Sequence, residues 1–170
     1  MSRSNDFSQR VPLGRTGIEV SRLGIGSSYG VSRRACRAAF DAGVNYFFWG
    51  SVRTRGMALA IRDLAPTHRD ELVVLLQCYV RFASLIPRSI EKGLAILGID
   101  YADVLVLGWH ERRPSPRILD AVERERQRGR FRFLGISSHH RRLFPRLVED
   151  GRYDVFQLRY SAAHPGAEQD

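Results

Sequence analysis

Lysine is almost missing from this chain: of its 27 lysine and arginine residues, Lys92 is the only lysine. Any chemistry that depends on an amine must therefore run through one position. Its neighbours Ile90, Gly93 and Leu94 form an apolar helical stripe, so Lys92 is expected to point outward, away from any strand end. Cysteine is nearly as scarce. Cys36 and Cys78 are the only two, and neither belongs to a metal-type spacing. This excludes a disulfide framework and fits a reduced, cytoplasmic setting. No apolar run is long enough to span a bilayer, and residues 1–10 are polar, without the apolar core of a signal peptide. No membrane partner is expected.

Acidic residues are outnumbered: 18 against 27 basic ones give a formal charge of +9 and a pI near 10.5. The arginines are spread over most segments, with local density only at 124–132 and 141–146. The stretch Arg124-Glu125-Arg126-Gln127-Arg128-Gly129-Arg130, with Glu123 just before it and Glu125 within it, reads as a solvated helix end, where cations suit the helix dipole. Nucleic acid is therefore not expected as a partner. With 44% apolar and 26% charged residues, the chain reads as a loose tail at 1–10 followed by one globular domain at 11–170.

What the chain does contain is a rhythm. Six short apolar runs, Leu23–Ser27, Val44–Phe48, Leu72–Gln77, Asp103–Trp109, Phe131–Ser137 and Val155–Tyr160, are separated by segments with apolar residues at helical spacing. Most of the runs lack alternation, so both faces are expected to be buried, as in a parallel sheet. The stripes are Cys36, Ala39, Phe40 and Gly43; Met57, Ala60, Ile61 and Leu64; Ile90, Gly93, Leu94 and Leu97; and Leu143, Phe144, Leu147 and Val148. Between the third and the last, Ser115 before Pro116 marks a helix start with Ile118 and Val122 on its inner face.

Such units either spread into an open doubly wound sheet or close into a barrel. The first turn offers Gly24, Gly26 and Gly30, which miss the spacing of a dinucleotide-binding fingerprint, and this favours the barrel. The opening Leu13-Gly14-Arg15-Thr16-Gly17, followed by Val20-Ser21-Arg22-Leu23-Gly24-Ile25-Gly26, resembles that of the aldo-keto reductase family. Further matches follow in order: Ala42-Gly43-Val44-Asn45-Tyr46-Phe47, Leu97-Gly98-Ile99-Asp100-Tyr101-Ala102-Asp103, Gly129 through Ser137, and Gln157. The resemblance implies an α/β fold, a parallel (β/α) TIM-barrel of the aldo-keto reductase type. It would be incomplete, with about six of eight strand–helix units and a hairpin capping the barrel floor.

The same resemblance implies descent from NAD(P)-dependent oxidoreductases that reduce carbonyls with a nicotinamide cofactor, NADPH being the one expected. In that family a tyrosine delivers the proton, a lysine paired with an aspartate lowers its pKa, and a histidine orients the carbonyl. An unperturbed tyrosine titrates near ~10, so the neighbouring ammonium matters. On alignment these positions fall at Phe48 for the aspartate, Arg53 for the tyrosine, Gln77 for the lysine and Gly108 for the histidine. None of the family set is retained, and Tyr79 and His110 are only distant stand-ins. Losing the proton donor with its partner removes acid catalysis worth on the order of 10² to 10⁴. The expectation is a protein impaired in carbonyl reduction. The alternatives are a non-catalytic ligand-binding or regulatory, partner-binding pseudoenzyme and a divergent oxidoreductase using other rim residues.

By the same resemblance Ser137, Ser138 and Gln157 are candidates to hold the cofactor's nicotinamide amide. Alternatively, Ser137 and Ser138 cap the helix that begins near His140. Gln157, in a buried strand, is expected to need hydrogen-bond partners in either case. The family would continue beyond His164 into two further units, so open barrel edges are expected to invite self-association or a partner. His110, His139, His140 and His164 all follow strand ends, yet no carboxylate or cysteine joins them at ligand spacing, and no metal is expected. Trp49 with Arg53 and Arg55, plus Trp109, either offer a flat binding surface to a small-molecule ligand or fill the barrel interior, with core filling the favoured expectation.

Overall fold

The computed structural model describes residues 8–50 and 54–168. It opens with an antiparallel hairpin, β1 (Arg10–Pro12) and β2 (Glu19–Ser21), with Val11 opposite Val20. Gly14 and Gly17 take φ values of 53° and 72° in its turn, and the Thr16 hydroxyl donates to the Leu13 carbonyl at 2.7 Å. β1 begins at Arg10, inside the span read as a loose tail, because Arg10 pairs with Ser21 and the Arg22 N–H donates to the Gln9 carbonyl at 3.1 Å. Residues 1–7 lie outside the described residues.

Six parallel strands follow: β3 (Ile25–Gly26), β4 (Tyr46–Trp49), β5 (Val73–Cys78), β6 (Ala102–Leu107), β7 (Phe131–Ser137) and β8 (Val155–Gln157). Each pairs only with its neighbours in sequence, so the sheet order is the chain order. Between them stand α1 (Arg33–Asp41), α2 (Arg55–His68), α3 (Ile86–Leu97), α4 (Pro116–Gln127) and α5 (Phe144–Asp150). Right-handed crossovers that always advance in one direction put every helix on the same side of the sheet, which curls into part of a barrel. A doubly wound sheet would reverse its order, and this one does not.

Two apolar layers result. Outward side chains such as Val74, Leu76, Leu105, Leu107 and Ile136 pack with Met57, Ile61, Leu64, Ile90, Leu94 and Leu97 of the helices. Inward ones, Val73, Leu75, Val104, Val106 and Val155, pack with Val11, Leu13, Ile18 and Val20 of the hairpin, which floors the interior. Buried Asn45 ties hairpin to sheet: its Oδ1 accepts from the Ser21 N–H at 2.8 Å and its Nδ2 donates to the Glu19 carbonyl at 3.1 Å. Asp103, also buried, accepts from the Val74 N–H at 2.9 Å and from Arg69 and Arg132 at 3.0 and 3.3 Å.

Some expectations shift. The last run ends as strand at Gln157, and Leu158, Arg159 and Tyr160 are exposed. Val148 is 60% exposed rather than part of the α5 stripe. Leu143 closes a 3₁₀ turn at Arg141–Leu143, whose tighter winding rotates the face before the seven-residue α5 begins. Gly43 lies beyond the end of α1 with φ 92°. Lys92 is exposed on α3, as expected. Among the described residues no helix is long and apolar enough to cross a membrane.

Candidate functional site

The inward register that buries Val73 and Leu75 brings Gln77 to the mouth of the interior, at the C-terminal ends of the strands. Phe48 of β4, Ser137 of β7 and Gln157 of β8 reach the same end. They line a cavity of about 420 Å³ together with Tyr79, Trp109, Ser138 and His139. Its wall is a small hydrogen-bond network. Tyr79 donates its hydroxyl to Gln77 Oε1 at 2.6 Å, Gln77 Nε2 donates to Ser137 Oγ at 3.2 Å, and the Trp109 N–H donates to the same Oγ at 3.0 Å. Ser137 Oγ thus accepts twice from within the protein, and its own hydroxyl proton is left to donate.

Two glycines make room for Gln77. A Cβ on Gly50 would stand 2.7 Å from Gln77 Cβ, and one on Gly108 would stand 2.6 Å from Gln77 Nε2 and 2.8 Å from the Tyr79 ring. At Gly108, where the family resemblance places a histidine, a side chain would displace the amide. Sequence reasoning missed Gly50 as a site residue. The available signal was positional, a glycine directly after the apolar run of two strands, Trp49-Gly50 and Leu107-Gly108.

Trp109 departs from expectation. It is 54% exposed at the mouth, not packed in the interior, and it alone among non-glycine residues of the described chain has a positive φ, 52°. That conformation costs about 1–2 kcal/mol for an L-residue. The Ser137 hydroxyl holds its N–H, while the Arg81 guanidinium donates to the carbonyls of Gly108 and Trp109, the latter at 2.9 Å. Its ring meets Tyr79 edge-on at 5.1 Å and tilts against His139 at 6.1 Å. Trp49 packs on the helix side of the sheet, and it is the neighbouring Phe48 that packs against the inner cluster.

Ser138 Oγ accepts from the His140 N–H at 2.9 Å, a local turn before the 3₁₀ segment, and Ser137 caps nothing because both its acceptor sites are used. Gln157 Oε1 is buried without a hydrogen-bond partner among the described residues, so the partner that a buried amide needs is not supplied by them. A buried unpaired amide oxygen facing a cavity is an acceptor awaiting a donor.

His110 does not join this site. Its N–H continues the pairing with the Ser137 carbonyl at 3.0 Å, but its ring, only 5% exposed, lines a separate cleft with Arg81, Arg112 and Arg113. Burial, seconded by the nearby Arg81 charge, pushes its pKa from 6.5 down to about 4. His139 lines the mouth, His140 another cleft, and His164 bridges to Ser161. Among the described residues no group of three or more histidine, cysteine or acidic side chains is placed to hold a metal ion. Arg53, at the family's tyrosine position, lies outside the described residues.

No carboxylate lines the cavity among the described residues. Beside His139 and Arg159, its polar side chains are neutral amides and hydroxyls, suited to grip an uncharged planar polar group between an acceptor, Gln157 Oε1, and a donor, Ser137 Oγ.

No family model matches the chain. Solved structures do, and they carry the fold of the aldo-keto reductases. A Bombyx mori aldo-keto reductase in complex with NADP superposes with a TM-score of 0.73 at 19% identity, over 89% of this chain and 58% of that one. A thermostable aldo-keto reductase in complex with the inhibitor epalrestat gives 0.76 at 20% identity, over 95% and 68%. The holo form of an aldo-keto reductase from Bacillus halodurans gives 0.76 at 21% identity, over 90% and 58%. The chain is thus a partial barrel of the aldo-keto reductase type, spanning about three fifths of the length of the first and third of these structures.

Proposed function

We propose that this chain is an aldo-keto-reductase-like domain of NAD(P)-dependent oxidoreductase descent that keeps a rim subsite for a nicotinamide-type carboxamide but is impaired in carbonyl reduction. The unpartnered Oε1 of Gln157, a residue that lines the same cavity as Ser137 with its spare proton, carries the reading. An amide presents one donor and one acceptor face, and those two groups meet both. NADPH, where bound, would supply the hydride.

Among the described residues the cavity has no tyrosine paired with a lysine to tune its proton; besides Tyr79, its ionisable side chains at the mouth include His139 and Arg159. Tyr79 faces a neutral amide, Gln77, instead of an ammonium, and the only lysine sits on the solvent side of α3. Phe48 and Gly108 carry no ionisable group. The bound ligand would be held and oriented without a lysine-tuned tyrosine to protonate it.

Titration of the purified protein with NADPH, followed by cofactor fluorescence and then by turnover on an aldehyde panel, tests this. The expected result is saturable binding, weakened about tenfold by Gln157→Leu through loss of one buried hydrogen bond, with turnover near the uncatalysed rate. Robust aldehyde reduction would overturn the catalytic half of the proposal, and the absence of binding would overturn the other half.

A further inference from the structure

On the outer side of the same rim, the loop after β6 and the segment leading into α5 enclose a second concavity. It consists of two clefts of about 490 and 520 Å³ that share Glu111, Arg112 and Arg113 as a common wall. Arg142 and Arg146 close the opposite side. These arginines belong to the concentration at 141–146, and the fold sets two of them in one cleft lining with the loop arginines.

The charge is not balanced from within. Arg113 is committed to the buried Asp150 carboxylate at 2.6 Å, which also takes Arg152 at 2.8 Å. Arg81 is spent on the carbonyls of Tyr79, Gly108 and Trp109. Arg112, Arg142 and Arg146 have no hydrogen-bond or ion-pair partner among the described residues, and Glu111 is the one carboxylate lining the clefts. Three guanidiniums converging on a concave surface repel one another unless an anion lies between them. A second, independent feature is at the floor of the first cleft. His110 is buried there, and its Nε2 has no partner, so a ring nitrogen is left to hydrogen-bond with whatever enters.

We infer that this double cleft is a binding site for a small soluble ligand carrying two or more phosphate groups, held by Arg112, Arg142 and Arg146 and touched from below by His110 Nε2. Guanidinium forks match phosphate oxygens bidentately, and the enclosed volumes suit a metabolite-sized polyanion. The site is separate from the rim cavity, and the inference stands whether or not that cavity binds NADPH.

Isothermal titration with inorganic tripolyphosphate at about 50 mM salt is the test. Binding of one equivalent is expected, weakened about tenfold or more in the double variant Arg142→Gln/Arg146→Gln and unchanged in Arg88→Gln/Arg124→Gln, which removes exposed arginines of α3 and α4 that do not line the clefts. Because both pairs are exposed and unpartnered, circular dichroism and thermal melting should match the parent for each. The His110 Nε2 resonance should shift on titration. No heat of binding, or equal weakening by both double variants, would overturn the site. Vesicles containing a phosphoinositide that bind where tripolyphosphate does not, or an oligonucleotide that outcompetes tripolyphosphate at equal phosphate concentration, would overturn the small-ligand assignment.

Discussion

The buried His110 makes the stability of this protein depend on pH in a way that can be calculated. In the unfolded chain a histidine titrates near 6.5; in the fold, desolvation and the Arg81 charge hold its pKa at about 4. Below 6.5 the unfolded chain therefore binds a proton that the folded chain refuses. The associated stability is complete above pH ~6.5, falls as the pH drops from there, and levels off below ~4. At about 1.4 kcal/mol per unit, the whole span is worth about 3 kcal/mol, a large share of a typical domain's ~5–15 kcal/mol. Urea unfolding of the parent and of His110→Gln, measured at intervals from pH 8 to pH 4 (approximate limits), isolates the term, since the other histidines and the carboxylates cancel in the difference. The difference curve should be flat at the alkaline end and slope toward the acidic end. Parallel curves for the two proteins would refute the reasoning by showing that His110 is solvated or paired in the fold.

Four other perturbations address the scaffold and the rim cavity. Asp103→Ala removes the buried acceptor of Arg69, Arg132 and the Val74 N–H, and a loss of about 3–5 kcal/mol in chemical denaturation is expected. Gly93→Ala sets a methyl 2.7 Å from Leu76 Cδ1, where α3 rests on β5, and should cost about 1–3 kcal/mol. In contrast, Gly129→Ala meets open space and bears only the strain of φ 73°, about 1–2 kcal/mol. Gly108→Ala, by pushing on Gln77 Nε2 and the Tyr79 ring, should lower the melting temperature and weaken any ligand of the rim cavity together.

The parallel sheet was legible because its strands are buried on both faces, which leaves unbroken runs such as Val73–Cys78 and Ala102–Leu107 whose character survives in one dimension. Helix faces were legible where the helix is long. Met57, Ala60, Ile61 and Leu64 are all fully buried, whereas the short α5 follows a 3₁₀ turn and its stripe breaks at Val148. At the site, Ser137, Ser138 and Gln157 do meet around one cavity with Gln77, but His110 parts from them. Its position one residue past Trp109 is decided by the left-handed turn there, which depends on Arg81 and Ser137, distant in sequence. No local pattern encodes that bend, and the second cleft that it opens is invisible for the same reason.

Strand order equal to chain order has a consequence for how the molecule comes into being. Every strand of the sheet finds its partner one crossover away, so each loop closed in folding is short and no pairing has to wait for a distant segment. On a ribosome, β4 can dock on β3, then β5 on β4, each new unit covering the edge just exposed and presenting the next. The molecule can therefore assemble vectorially, from its hairpin outward, at the pace of its own synthesis.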